Sequence, residues 1–347
     1  MTVRVYFATN RCPDNAAAPT RFADAICAQD PQNLRFGWAE VDLAKSKVKS
    51  LHIAPEANVN DPDNQVLGSE QVFEELRQEM IADPADLLFF IHGFANTFDD
   101  ALVKGAVLRR FYGGTAKKGK KLHVMVFSWP SDGKLVAPAN AYRSDYLDAE
   151  ISGTAVGRVF LKAAQFVAEL PRDEWCMRRI HVLAHSMGNW ALLNALQHVR
   201  REAPAVSARM IDQAILAAAD APNDAFESDD KMRALGGLAA RVTVYMHPQD
   251  LALHISSSLK GNSDRLGKLG PRDPALLPAN VTVVNVWNAA PIDPNVDTEY
   301  TTHQYYRHNK LVRNDIIDVL HGITDDEIAN REFRAEKRWY ALGDVKA

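Results

Sequence analysis

Short runs of consecutive apolar residues alternate along this chain with longer stretches in which apolar residues return every three or four positions. The first pattern predicts strands buried on both faces, and the second predicts helices packed by one face. Strands are expected over Val3–Ala8, Phe36–Leu43, Leu87–Ile91, Leu122–Phe127, Ile180–Ala184, Ala214–Ala218, Val242–Met246 and Val281–Val286. Helices are expected over Glu70–Ile81, Phe98–Phe111, Asp145–Leu170 and Met187–Arg200, with a late one around Ile316–Leu320. Ser69 and Thr97 are good N-caps, and Asp99 and Asp100 place negative charge at the positive end of a helix dipole. Leu192, Leu196 and Val199 share one helical face, while Gly153 and Gly157 predict a bend or a close approach in the long third helix.

This alternation predicts an α/β fold with a mostly parallel central sheet and helices on both faces. No repeat and no linker divides the chain, so residues 1–347 read as one domain. Residues 1–85 contain a Pro/Asn/Asp-rich loop over 54–64 and are expected to add edge strands to the same sheet. Residues 325–347 are charged and read as a helical tail, packed on the outside through Ile328, Phe333 and Trp339.

The strongest chemical signal is IHVLAHSMGN, residues 180–189. An apolar strand ends in small-x-Ser-x-small, and an amphipathic helix follows at once. That is the strand-turn-helix setting of a nucleophile elbow in an alpha/beta-hydrolase fold, with Ser186 lifted out of the sheet. Ala184 stands where the motif has its first glycine and is still small. A serine there also suits plain helix capping. The second signal is LLFFIHGFANTF, residues 87–98, a buried strand running into His-Gly and then a helix start. Such a loop supplies one oxyanion-hole amide and the residue after the nucleophile supplies the other, which points to the Phe94 and Met187 N–H groups. His92 reads as a brace for this loop rather than as the base. Asn96 is expected to orient the loop, cap the helix or touch substrate.

These segments, with YFATNR near the start, VFSWPSDG, AYRSDYLDAE, ILAAADAPNDAF, RVTVYMHPQDLAL and HQYY, resemble an uncharacterised bacterial family of alpha/beta hydrolases grouped with esterases and lipases. The resemblance covers roughly residues 3 to 320 and is weakest between 10 and 85. It implies a serine-hydrolase apparatus but no physiological substrate.

Chain order in this fold, Ser then acid then His, together with the resemblance, makes Asp250 the first choice for the acid, beyond strand Val242–Met246. Asp220, beyond the preceding strand, is its rival. His303, in His303-Gln304-Tyr305-Tyr306, is the expected base, with His308 as its competitor; His254 and His321 read as ordinary helix residues. The expected reaction is hydrolysis of a small-molecule carboxylic ester through an acyl-enzyme, without metal or organic cofactor. The alternatives are acyl transfer, amide or thioester cleavage, or binding without catalysis. Phe94, Phe98, Trp129, Met187 and Trp190 are candidates to line an acyl site, although each also suits core packing.

Composition narrows the partners. Of 347 residues 47% are hydrophobic and 24% charged, with a net charge of -4, which suits a globular protein and gives no general attraction to nucleic acid. The basic cluster Lys117, Lys118, Lys120 and Lys121 reads as a solvated loop. No apolar run reaches the length of a membrane span and no export signal opens the chain, so a cytoplasmic location is expected. Cys12, Cys27 and Cys176 make an odd count without metal-like spacing, so neither a disulfide nor a zinc site is expected. Oligomeric state is not legible.

Overall fold

A computed structural model describes residues 1–56, 66–113, 121–132, 138–174, 176–203, 209–261, 263–291 and 302–343. The expected loop over 54–64 and the lysines at 117, 118 and 120 lie wholly or partly outside these residues.

The strands are β1 (Thr2–Thr9), β2 (Arg11–Pro13), β3 (Phe22–Ile26), β4 (Arg35–Asp42), β5 (Lys47–Ile53), β6 (Asp86–Ile91), β7 (Leu122–Ser128), β8 (Ile180–His185), β9 (Ile211–Ala217), β10 (Ala239–Met246), β11 (Val281–Asn285), β12 (Arg331–Arg334) and β13 (Trp339–Leu342). All but β2 and β3 form an 11-stranded sheet in the order β12-β13-β11-β10-β9-β8-β6-β7-β1-β4-β5. From β13 to β1 every neighbouring pair is parallel, whereas β4, β5 and β12 pair antiparallel at the two edges. The protein thus has the α/β-hydrolase architecture, with N-terminal strands extending one edge.

Burial on both faces explains why the central strands read as unbroken apolar runs. In β6, Leu87, Phe89 and Ile91 face a core shared with helices α1 (Gly68–Ala82), α3 (Pro138–Glu169) and α4 (Gly188–Glu202). Leu88 and Phe90 face the opposite core, with α2 (Phe98–Tyr112) and Val312, Ile316 and Val319 of the helix Lys310–Leu320. Each such fully buried side chain contributes about 1.5–3 kcal/mol, so these two layers hold the strand ends that carry the site. Helix α3 begins ahead of Asp145 because Tyr142 already belongs to its buried face. Its Gly153 and Gly157 are close-approach positions: a Cβ on either would run into α4 at Asn194 or His198.

Expectations for the C-terminal segment and for the cysteines are corrected. The C-terminal segment is not a helical tail over its described residues, 325–343, since it carries the β12–β13 hairpin, paired through β13 with β11. The open edge of β11 offers a row of unpaired backbone groups, and pairing there outweighs the helix preference of Ala335, Glu336 and Lys337, which become the turn. Ile328 is buried, but Phe333 lies on the exposed face against Tyr340. Cys12 and Cys27 form a disulfide that closes the β2–β3 hairpin, a pairing that spacing alone does not reveal. Strand β5 escapes the hydrophobic pattern because it is a polar edge strand.

Candidate active site

Parallel strands deliver their carboxyl ends to one rim of the sheet, where open α/β folds build sites. Gly93 follows β6, Trp129 follows β7, Ser186 follows β8, Asp220 lies beyond β9 and Asp250 beyond β10. Ser186 occupies the left-handed region at φ 53°, a conformation costly for a residue with a Cβ. The surroundings enforce it: the Ser186 N–H donates to Ala217 O (3.0 Å), tying the turn to β9. Gly188 starts α4 pressed against the carbonyls of Ile91 and His92, where a Cβ has no room.

The peptide following Ser186 is fixed by its carbonyl. Ser186 O accepts from Asn189 N (3.0 Å), Asp220 N (3.1 Å) and Asn189 Nδ2 (3.2 Å). A trans peptide points its N–H opposite to its C=O, so clamping this oxygen aims the Met187 N–H the other way. The β6–α2 loop repeats the device. Gly93 O accepts from Asn96 Nδ2 (2.7 Å) and His92 Nδ1 (2.8 Å), which fixes the direction of the Phe94 N–H. Among the described residues, neither the Phe94 nor the Met187 amide donates to any group. A Cβ on Gly93 would lie 2.9 Å from Ser186 Cβ, so this loop passes directly over the serine.

Burial, with Arg11 nearby, pushes the His92 pKa well below its usual value, so the ring is neutral and its Nδ1–H is the donor to Gly93. The ring stacks on Trp129 (5.0 Å between centroids), whose indole N–H donates to His92 O (2.7 Å). His92 is thus a brace beneath the loop. Asn96 is buried and orients the loop rather than facing outward, with Nδ2 also on Phe94 O (2.7 Å) and Oδ1 accepting from Lys104. The helix cap itself is Thr97, in a capping box with Asp100.

His303 and Asp250 are brought together in a buried contact. His303 Nδ1 donates to Asp250 Oδ2 (2.8 Å), while Asp250 Oδ1 caps the helix Leu251–Leu259 through Leu253 N (2.9 Å). The proton on Nδ1 leaves the basic lone pair on Nε2. The HQYY segment holds this ring. Tyr305 OH donates to Tyr245 O (2.9 Å) and accepts from Ala218 N (2.8 Å). His185, kept neutral mainly by burial, donates from Nε2 to His303 O (3.1 Å) and stacks on Tyr306. The rival Asp220 is engaged elsewhere. It accepts from Tyr142 OH and Ser256 Oγ (2.6 Å) and pairs with Lys260 (3.3 Å) and Arg265 (3.5 Å). Burial by itself would raise the Asp220 pKa, but Lys260, Arg265 and these hydrogen bonds outweigh it and hold the carboxyl below its usual value. His308 lies farther along, exposed at the end of the short helix Tyr305–His308.

The five candidate lining residues separate into two groups. Phe94 and Trp190 are half-buried: Phe94 approaches Tyr142 (5.7 Å) and Trp190 stacks on Tyr146 (4.8 Å). Met187 and Trp129 are fully buried, and Phe98 packs against Phe7 and Phe22 on the other face of the sheet, so these are core residues. The sequence reading missed Arg11, Tyr142, Tyr146, Lys260 and Arg265. Tyr142 and Tyr146 stand four apart and were visible as a helical pair; Lys260, over the Tyr146 ring at 3.6 Å, left no local signal. Among the described residues, no His, Cys, Asp and Glu cluster suits a metal ion, and no helix is long and apolar enough to cross a membrane.

No curated protein matches the chain. Among solved structures, the crystal structure of Aspergillus fumigatus lipase B aligns with a TM-score of 0.35 and 13% identity over 70% of this chain. The chain spans 54% of that lipase's length, and a likeness this loose carries no argument about activity. The model of a family described as "Alpha/beta hydrolase of unknown function (DUF900)" matches residues 69–318. That span holds every residue described around Ser186 except Arg11, Phe7 and Phe22, and the chain belongs to this family of alpha/beta hydrolases.

Proposed function

We propose that this hydrolase is a serine esterase that cleaves carboxylic esters through an acyl-enzyme on Ser186. The observation that carries this reading is the convergence on one rim of a strained serine, a buried His303–Asp250 pair and two oriented, unengaged amides. Ser186 Oγ attacks the ester carbonyl as His303 Nε2 takes its proton. Asp250 holds the tautomer and stabilises the imidazolium. The Phe94 and Met187 N–H groups receive the oxyanion, with no reorganisation needed because both peptide planes are already fixed. His303 returns the proton to the leaving alcohol and then activates water to release the acid. Tyr142, Tyr146 and Trp190 beside Phe94 supply an aromatic wall, which favours an ester whose substrate body is apolar.

The test is labelling of the full chain by a fluorophosphonate probe, with Ser186→Ala and His303→Ala alongside. Labelling lost in both variants supports an activated serine; labelling that survives Ser186→Ala removes the proposal.

A further inference from the structure

The β6–α2 loop is held by a charge that comes from far outside it. Arg11 lies in β2, before the region matched by the family model, and its side chain is wholly buried. Its guanidinium fans out to four acceptors on three separate segments. Nε donates to Ser128 Oγ (3.0 Å) at the end of β7, and NH1 donates to Asp24 Oδ1 (2.8 Å) in β3 and to Ser131 O (3.2 Å). NH2 donates to Asn96 O (2.7 Å), inside the loop over Ser186. Asn96 N in turn donates to Ser131 Oγ (3.0 Å), and Asp145 Oδ2 accepts from that hydroxyl (2.5 Å) and from Ala95 N (3.3 Å).

Asn96 is the residue whose side-chain amide clamps Gly93 O and thereby aims the Phe94 N–H. With its own carbonyl pinned by Arg11 and its own N–H by Ser131, Asn96 has little freedom to turn. Ala95, between Phe94 and Asn96, sits at φ 55°, so this stretch relaxes unless something over-determines it. We infer that Arg11 is a positioning residue for the oxyanion hole, and that the N-terminal hairpin closed by Cys12–Cys27 is part of the catalytic apparatus. The inference rests on the serine-hydrolase reading. A buried cation is an expensive way to fasten two strands, since a well-packed apolar residue does so as well or better. A planar fork with five donors does what an apolar residue cannot: it fixes carbonyls on several segments at once. Asp24 neutralises it, and the disulfide joins the residue after Arg11 to the residue after β3, the strand that carries Asp24.

The experiment compares wild type, Arg11→Lys and Asp24→Asn as full chains on a p-nitrophenyl ester, with active sites titrated so that only folded enzyme is counted. Lysine keeps the charge but not the fork, so kcat per site is expected to fall about 10- to 100-fold, with KM within about twofold. The fluorophosphonate labelling rate is expected to fall in parallel, while the pH at which activity rises stays put because His303 and Asp250 are untouched. Asp24→Asn, altered at a partly exposed position, is expected to lose about two- to tenfold in kcat and decides the matter if Arg11→Lys does not fold. Variants that melt earlier yet turn over at the wild-type rate per site overturn the inference. A wild type that neither labels nor turns over esters overturns the reading beneath it instead.

Discussion

Two turns meet at Ser186, and they are built in different ways. The β8–α4 elbow is made by neighbours in sequence: a strand, a strained serine, a glycine and a helix within ten residues, fastened mainly by backbone bonds to β9 and by Asn189. The β6–α2 loop is made by side chains from distant segments: Arg11 from β2, Trp129 and Ser131 beyond β7, Asp145 from α3. Both nevertheless solve one problem alike, fixing a peptide N–H by clamping the carbonyl on the other side of its plane. The elbow is therefore robust to change elsewhere, while the loop depends on much of the fold being assembled first.

The sharpest test of this contrast starts at the elbow itself. Ser186→Ala removes only an oxygen from a turn fixed by backbone, so the fold should persist with turnover down by about 10⁴ or more; circular dichroism and ester hydrolysis check both. Asp250→Asn should cost about 10⁴ in kcat by upsetting the His303 tautomer. Asp220→Asn acts differently. It leaves Lys260 and Arg265, both largely buried, without their counter-charge, so it should destabilise by about 3–5 kcal/mol in denaturant unfolding while kcat per folded site changes far less. Equal kcat losses from the two aspartates would end the assignment of Asp250 as the acid.

On the loop side, Asn96→Ala removes one of the two donors that clamp Gly93 O and leaves only His92, so it should lower kcat by about 10²-fold, provided that the Phe94 amide is the oxyanion donor. A loss confined to KM would show that this loop only binds substrate. The smallest effect belongs to Asp148, half-buried on α3, whose pKa is pushed up to about 6 by burial, with Asp145 adding to it. A carboxyl whose folded pKa exceeds its unfolded value of 3.8 loses stability as pH rises through that window, so wild type carries the penalty at pH 7. Asp148→Asn should stabilise by about 1 kcal/mol at pH 7, after allowance for solvent screening, and by nothing below pH 3. Thermal melts at the two pH values check this.

The difference between the turns also sets what could be read beforehand. Seven of the parallel strands declare themselves as apolar runs because both faces are buried, and the elbow does so because its parts are contiguous. Edge strand β5 is polar, and the β12–β13 hairpin hides in a helix-favouring sequence, so each is decided by the backbone edge it pairs with. Cys12 and Cys27 meet only because β2 and β3 pair. Phe98 and Trp129 lie next to the site in sequence yet face the core, since a strand or helix carries its neighbours to opposite sides.

The sequence by itself determined a parallel α/β sheet, the Ser186 turn and a short list of acids and bases, because burial periodicity and tight turns are local properties. Tertiary structure alone decided that His303 meets Asp250, that Asp220 serves Lys260 and Arg265, and that Arg11 holds the loop over Ser186. Those pairings join residues tens of positions apart in the chain, and only the order of strands in the sheet fixes which side chains share a space.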